Sequence, residues 1–192
     1  MEGILKEWRG TGAGSATPGR LLLGAGTVHK GLEMVDGVWN FDESLWGTTR
    51  GGCKLEIVPE LTEIECDGQN VSAEGLLIKT GETATLEFSI VDPDLEKLRL
   101  LSGGTKGKTE SGYTDLSSSS ALAAGDYIDD LALVCGRPGG GMVIIRFDRA
   151  VCTSGLKLET KNRESAAIPV TMKCLAQPGE TVLPWHVFYG NA

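Results

Sequence analysis

The chain is short of the side chains that most catalytic and metal chemistry requires. Only two histidines occur in 192 residues, His29 and His186, and neither has a carboxylate or cysteine nearby in sequence at ligand spacing. Five cysteines are present, an odd count, and no two form a Cys-x-x-Cys pair. Cys53, Cys66 and Cys174 each sit among alternating apolar positions, so the thiols are expected to pack in a core. Basic residues are outnumbered: 18 Lys and Arg face 26 Asp and Glu, for a net charge of −8. A sequence-independent DNA binder is normally basic because its affinity comes from neutralising phosphates. This chain is therefore not expected to hold DNA tightly, although it could lie beside DNA without adhering. No apolar run approaches the roughly 20 residues of a membrane helix, so no membrane role is expected. Glu2, Lys6, Glu7 and Arg9 interrupt the apolar core that a signal peptide would need. Cytoplasmic synthesis is the expectation, and Asn70-Val71-Ser72 is then a chance match to a glycosylation acceptor.

Apparent motifs fail on inspection. Gly107-Lys108-Thr109 resembles the end of a phosphate-binding loop, but that motif needs glycine at position 102, where Ser102 stands, and a strand before it. The glycine clusters at 10–14 and 24–26 lack the strand–glycine–helix setting of a dinucleotide site. No nucleophile elbow occurs. Acids are abundant, yet glycosidase work needs two carboxyls across a cleft. The expectation is a protein that is not an enzyme and uses no cofactor or metal.

What is present is glycine, 27 residues of it, with hydrophobic content of 41% and charged content of 23%. These are globular values with many turns. A chain of this size fits one domain and buries roughly 70% of its unfolded surface. Residues 1–20 are Gly-, Ser-, Thr- and Pro-rich and read as an N-terminal arm. Leu21-Leu22-Leu23 opens a first strand. Residues 27–50 read as a long aromatic loop or extended hairpin carrying Trp39, Phe41 and Trp46, which want either a core or a partner.

Alternation places strands at about 53–58, 62–67, 71–79 and 83–91. In the last, Ala84, Leu86, Phe88 and Ile90 share one face and Thr83, Thr85, Glu87 and Ser89 the other. One helix follows, with Asp92 as N-cap, Pro93 in the first turn, Leu95, Leu98 and Leu101 on one face, and Gly103-Gly104 as the stop. Residues 103–120 read as a flexible polar loop. Further strands are expected at about 127–135, 142–148, 155–160, 166–176 and 183–189, with a turn at 137–141. Pro169 argues for an edge or a bulge. The fold class is all-β with one short helix, a β-sandwich or barrel-like sheet pair.

The segments "LWGTTRGGCKLEIVPELTEIECDG" (45–68), "GETATLEFSIVDPDLEKLRLL" (81–101), "YIDDLALVCG" (127–136) and "IPVTMKCLA…LPWHVFY" (168–189) run in an order that resembles the tail tube, or major tail, proteins of long-tailed bacteriophages. Trp46 departs from that order by standing between Leu45 and Gly47. The resemblance spans most of residues 45–189. It implies a β-sandwich subunit in hexameric rings, whose inner sheets join into one continuous β-barrel around a lumen that DNA passes through without specific binding. Rings would stack as a homo-oligomeric tube in the virion tail, with tape-measure, tail terminator and baseplate or distal tail proteins as partners. The 1–20 arm and the 103–120 loop would bridge successive rings.

The acids gain a reading from this. Residues 54–67 hold five acids and Lys54, for a net charge of −4, half that of the chain. Like charge between wall and phosphate prevents adhesion, and such fields reach about 8 Å at physiological salt. Glu56, Glu63, Glu65 and Glu87 are thus the expected lumen-lining residues, unless they form salt bridges with Lys54, Arg50, Lys79 or Arg146. Trp39, Phe41, Trp46 and Arg50 are the expected inter-ring or inter-subunit contacts. The alternatives are the inner tube of a contractile tail or phage-tail-like bacteriocin, and a monomeric β-sandwich carbohydrate-binding module.

Overall fold

The computed structural model of the protein describes residues 23–138, 140–160, 162 and 165–190. The expected arm of residues 1–20, and Leu21 and Leu22 of the first strand, lie outside them. In chain order the elements are β1 (Leu23–His29), β2 (Met34–Val35), β3 (Val38–Trp39), α1 (Phe41–Ser44), β4 (Thr49–Glu63), β5 (Leu77–Ile90), α2 (Leu95–Ser102), β6 (Thr105–Glu110), β7 (Tyr113–Ser117), a 3-10 turn (Ala124–Asp126), β8 (Tyr127–Gly136), β9 (Met142–Cys152), β10 (Ile168–Cys174) and β11 (Trp185–Tyr189). The all-β expectation holds, with α2 as its short helix and the four-residue α1 added.

Seven strands form one antiparallel sheet in the order β1-β8-β9-β10-β5-β4. The seventh, β11, shares one edge of β9 with β10: β11 pairs with residues 143–147 and β10 with residues 150–152. The sheet curls until its ends meet. Lys30 N–H donates to Ser44 O at 2.8 Å and Trp46 N–H to Val28 O at 2.9 Å, which ties β1 to the chain just before β4. The enclosed space is the main core. Ala84, Leu86, Phe88 and Ile90 fill it from β5, each 5% exposed or less, as their alternation predicts.

A second, smaller core lies on the other face of β8 and β9. Leu32, Ala132 and Ile144 are buried there beneath Trp39, Phe41 and Phe188. One pair of strands serves both cores because the sheet turns over locally. Ile128 and Leu131 on β8, and Phe147 and Ala150 on β9, all face the main core three residues apart. Strict alternation would put them on opposite faces. Asp130 takes up the difference with φ of 49°.

The structure corrects several expected elements. The strands at 53–58 and 62–67 are one continuous β4. Pro59 does not break it, because among the described residues β4 has no strand on its outer side and a missing N–H costs nothing there. The expected strand at 71–79 begins only at Leu77. Residues 103–120 are not a loop: β6 and β7 form a hairpin around Ser111 (φ 51°) and Gly112 (φ 83°), the two-residue turn that suits twisted strands. Of the two readings of residues 27–50, loop or hairpin, a hairpin is present: β2 and β3 pair around Asp36-Gly37, and α1 follows them. Residues 155–160 form no strand. The N-cap of α2 is Asp94, whose carboxylate accepts Lys97 N–H at 2.8 Å. Asp92 instead accepts Thr48 N–H at 2.9 Å and, with Asp94, flanks the buried Lys97 ammonium at 3.5 and 3.3 Å.

Candidate functional site

The β4–β5 hairpin is the longest element, with strands of 15 and 14 residues. Its inner half is part of the sheet wall. Beyond Val58, paired with Thr83, it leaves the sheet and continues as a two-stranded ribbon, called the arm below. Residues 58–63 alone extend it by roughly 20 Å at strand rise. Residues 64–76 close the tip, with Ile64 N–H donating to Leu76 O at 2.8 Å.

Among the described residues, nothing covers the arm. Val58, Leu61, Ile64, Leu77 and Ile78 are between 41% and 53% exposed. An isolated hairpin is marginal in water, and an apolar ribbon with a free edge invites pairing with another chain.

The root of the arm is built to hold it. At Thr80 the register slips, so that Glu60 faces Gly81 and Leu61 faces Lys79. Thr80 is the bulged residue, and its hydroxyl meets that of Thr62 at 3.1 Å. A Cβ at Gly81 would stand 2.6 Å from the Glu60 carboxylate, which would have to swing aside. One step inward, the Glu82 carboxylate accepts Lys79 Nζ at 2.6 Å and the Trp185 indole N–H at 2.9 Å. Those two bonds, Lys79 first, hold its pKa below the usual value. The arm is thereby fastened to β11.

The four acids expected to share one surface do not share one. Glu56 and Glu87 lie on the same outward face of the hairpin, with Lys54 between them at 2.8 and 3.9 Å. Glu63 is seven residues from Glu56 on an unbroken strand, so it projects to the opposite face; it accepts the Ser72 hydroxyl at 3.1 Å. Glu65 lies past the strand end, in the tip.

The expected contact residues also separate. Trp46 is buried in the main core, edge-on to Phe88 at 5.7 Å, and is not a surface anchor in this chain. Trp39 packs edge-on to Phe188 at 5.0 Å and Phe41 edge-on to His29 at 5.8 Å. Both are half-buried in the second core. Arg50 is exposed and approaches Ser165 at 3.5 Å.

His29 is buried between the Thr27 hydroxyl at 2.8 Å and the Ser44 hydroxyl at 2.9 Å, and burial lowers its pKa. His186 has a carboxylate beside it after all: Asp148 at 3.1 Å, brought there by β9–β11 pairing. Among the cysteines, Cys174 is buried and pushed up to about 12 by burial. Cys53, Cys135 and Cys152 are half-buried, and Cys66 is exposed at the arm tip, against expectation.

Among the described residues, no group of three or more His, Cys, Asp or Glu is placed to hold a metal ion, and no helix is long and apolar enough to cross a membrane. Open clefts lie at the arm root and beside Arg50-Gly51-Gly52. The chain matches no protein-family model, and no curated protein matches it.

Proposed function

We propose that the chain is a self-assembling structural subunit of a bacteriophage tail tube, the role that its resemblance to major tail proteins implies. One observation carries the self-assembly: a long hairpin arm with apolar side chains open to water and a root that fixes its direction. A protein that worked alone would gain nothing from such an arm and would risk aggregation through it. In this reading copies form hexameric rings that stack into a tube, DNA passes through the lumen, and tape-measure, terminator and baseplate proteins are the further partners. Lumen lining is proposed for Glu56 and Glu87 alone, as a face partly neutralised by Lys54. Glu63 and Glu65 belong to the arm.

The carbohydrate-binding alternative loses its main support. Trp39, Phe41 and Trp46 serve the chain's own cores, and the most exposed aromatics among the described residues, Tyr113 and Tyr189, sit on separate strands. The test is negative-stain electron microscopy with sedimentation of the concentrated protein. Rings or hollow rods are expected. A monomer at every concentration that also binds on a glycan array would overturn the proposal.

A further inference from the structure

We infer that the arm of one copy seats on the opposite end of the next copy, against Leu156, Lys157 and Leu158. The inference rests on the self-assembly proposed above and specifies its surfaces.

Charge first excludes the simplest joint, arm against arm. Residues 58–79 hold five acids, Glu60, Glu63, Glu65, Asp67 and Glu74, against one base. That base, Lys79, is already bound to Glu82 at 2.6 Å. Two such ribbons side by side would bring like charges into opposition across the strands, which is destabilising. The joint is therefore heterologous, with the arm meeting a different surface of its neighbour.

That surface must offer exposed apolar side chains where cations outnumber acids. Met34, Val35 and Val38 are exposed, but Glu33 and Asp36 flank them and repeat the sign of the arm. Leu156 and Leu158 are 41% and 55% exposed and stand on either side of Lys157. Glu159 is the one acid in residues 153–160, and Arg50 adds a cation at the same end of the sheet.

The strand register shows that this patch and the arm lie at opposite ends. Ile168, at the start of β10, pairs with Ile90 at the end of β5. Thr153 N–H donates to Thr171 O at 2.8 Å. The link between β9 and β10 therefore sits where β5 ends and β4 begins, whereas the arm is where β4 ends and β5 begins. A joint between opposite ends repeats from copy to copy. It closes into a ring if the rotation allows and otherwise runs on as a filament.

The test places p-benzoylphenylalanine at Leu61, which is exposed and outside both cores, and irradiates the concentrated full chain. Mass spectrometry should find intermolecular crosslinks within residues 153–160. Crosslinks to a neighbour at any other surface would overturn this inference while leaving self-assembly standing. Absence of both intermolecular crosslinks and particles would overturn both. As a second variant, Lys157→Glu should raise the concentration needed for assembly about tenfold, and Glu63→Lys in the same chain should reverse part of that rise. A Lys157→Glu protein that melts and assembles like the parent would also overturn the inference.

Discussion

The β4–β5 and β6–β7 hairpins both stand clear of the sheet, yet their surfaces are opposite in character. The arm of β4–β5 puts Val58, Leu61, Leu77 and Ile78 in water. The β6–β7 hairpin puts out Lys106, Lys108, Glu110, Tyr113 and Asp115, and its Thr109 and Thr114 hydroxyls meet across the strands at 2.8 Å. Its turn is tight and its side chains are at ease in solvent. The arm has a bulge and a buried-side clamp at its root, and side chains that solvent does not favour. Projection alone thus does not single out a segment; the chemistry of what projects sets the arm apart and suits it to the interface proposed for it.

The sharpest way to break this contrast is to remove each hairpin in turn. Joining the paired residues Pro59 and Glu82 through Asn-Gly deletes the arm. It should leave a protein that melts cooperatively and stays monomeric in sedimentation at any concentration. Joining the paired residues Thr105 and Ser117 the same way should leave assembly untouched. If both deletions assembled, or neither did, the distinction would be wrong.

A second experiment tests what the β6–β7 hairpin hangs from. It follows α2, which Arg99 anchors by reaching Asp126 at 2.6 Å and Gly125 O at 2.8 Å. Arg99→Met would strand the buried Asp126 carboxylate. The loss should be about 3 kcal/mol in urea denaturation, at the low end for a broken buried pair, because Arg99 keeps some access to water. The same change should not alter the arm, so any assembly defect should track stability alone.

The smallest expected effect separates sheet from arm by pH. Burial holds His29 below its ordinary value of about 6.5. On acidification the unfolded chain takes up this proton first, so stability falls as pH drops below about 6.5 and until the folded His29 itself titrates. Urea melts at pH 7.5 and 5.5 should show this loss, and His29→Gln should reduce it. Amide exchange in residues 58–79 should not follow the same titration, since His29 pins α1 to β1 and not the arm.

The wall of the fold was legible where alternation is long and unbroken. Thr83 to Ile90 declared its inner face through Ala84, Leu86, Phe88 and Ile90, and α2 declared its glycine stop but not its inner face: Leu100 is buried with Leu101, whereas Leu95 of the expected face is exposed. The β6–β7 hairpin announced itself only through the turn dipeptide Ser111-Gly112, within a segment whose polarity suggested a loop, and Asp36-Gly37 is the turn that decides for a hairpin within residues 27–50. The error over the acids had a single physical source. Reading Pro59 as a break restarted the alternation, which let Glu56 and Glu63 share a face. An unpartnered outer edge tolerates proline, so the strand runs on and an odd spacing separates them. The contact of His186 with Asp148 and the burial of Trp46 depend on pairings between distant strands, which local pattern does not encode.

Strand β9 borders three strands, with β8 along one side and β11 and β10 sharing the other. A pull on the arm tip travels down β5, which lies against β10 over six consecutive register pairs, and β10 passes it to β9. The load runs along these strands, so it shears the rungs together instead of peeling them one by one. The fold is thus laid out as a tension member, with the arm at one end and its keystone strand in the middle of the sheet.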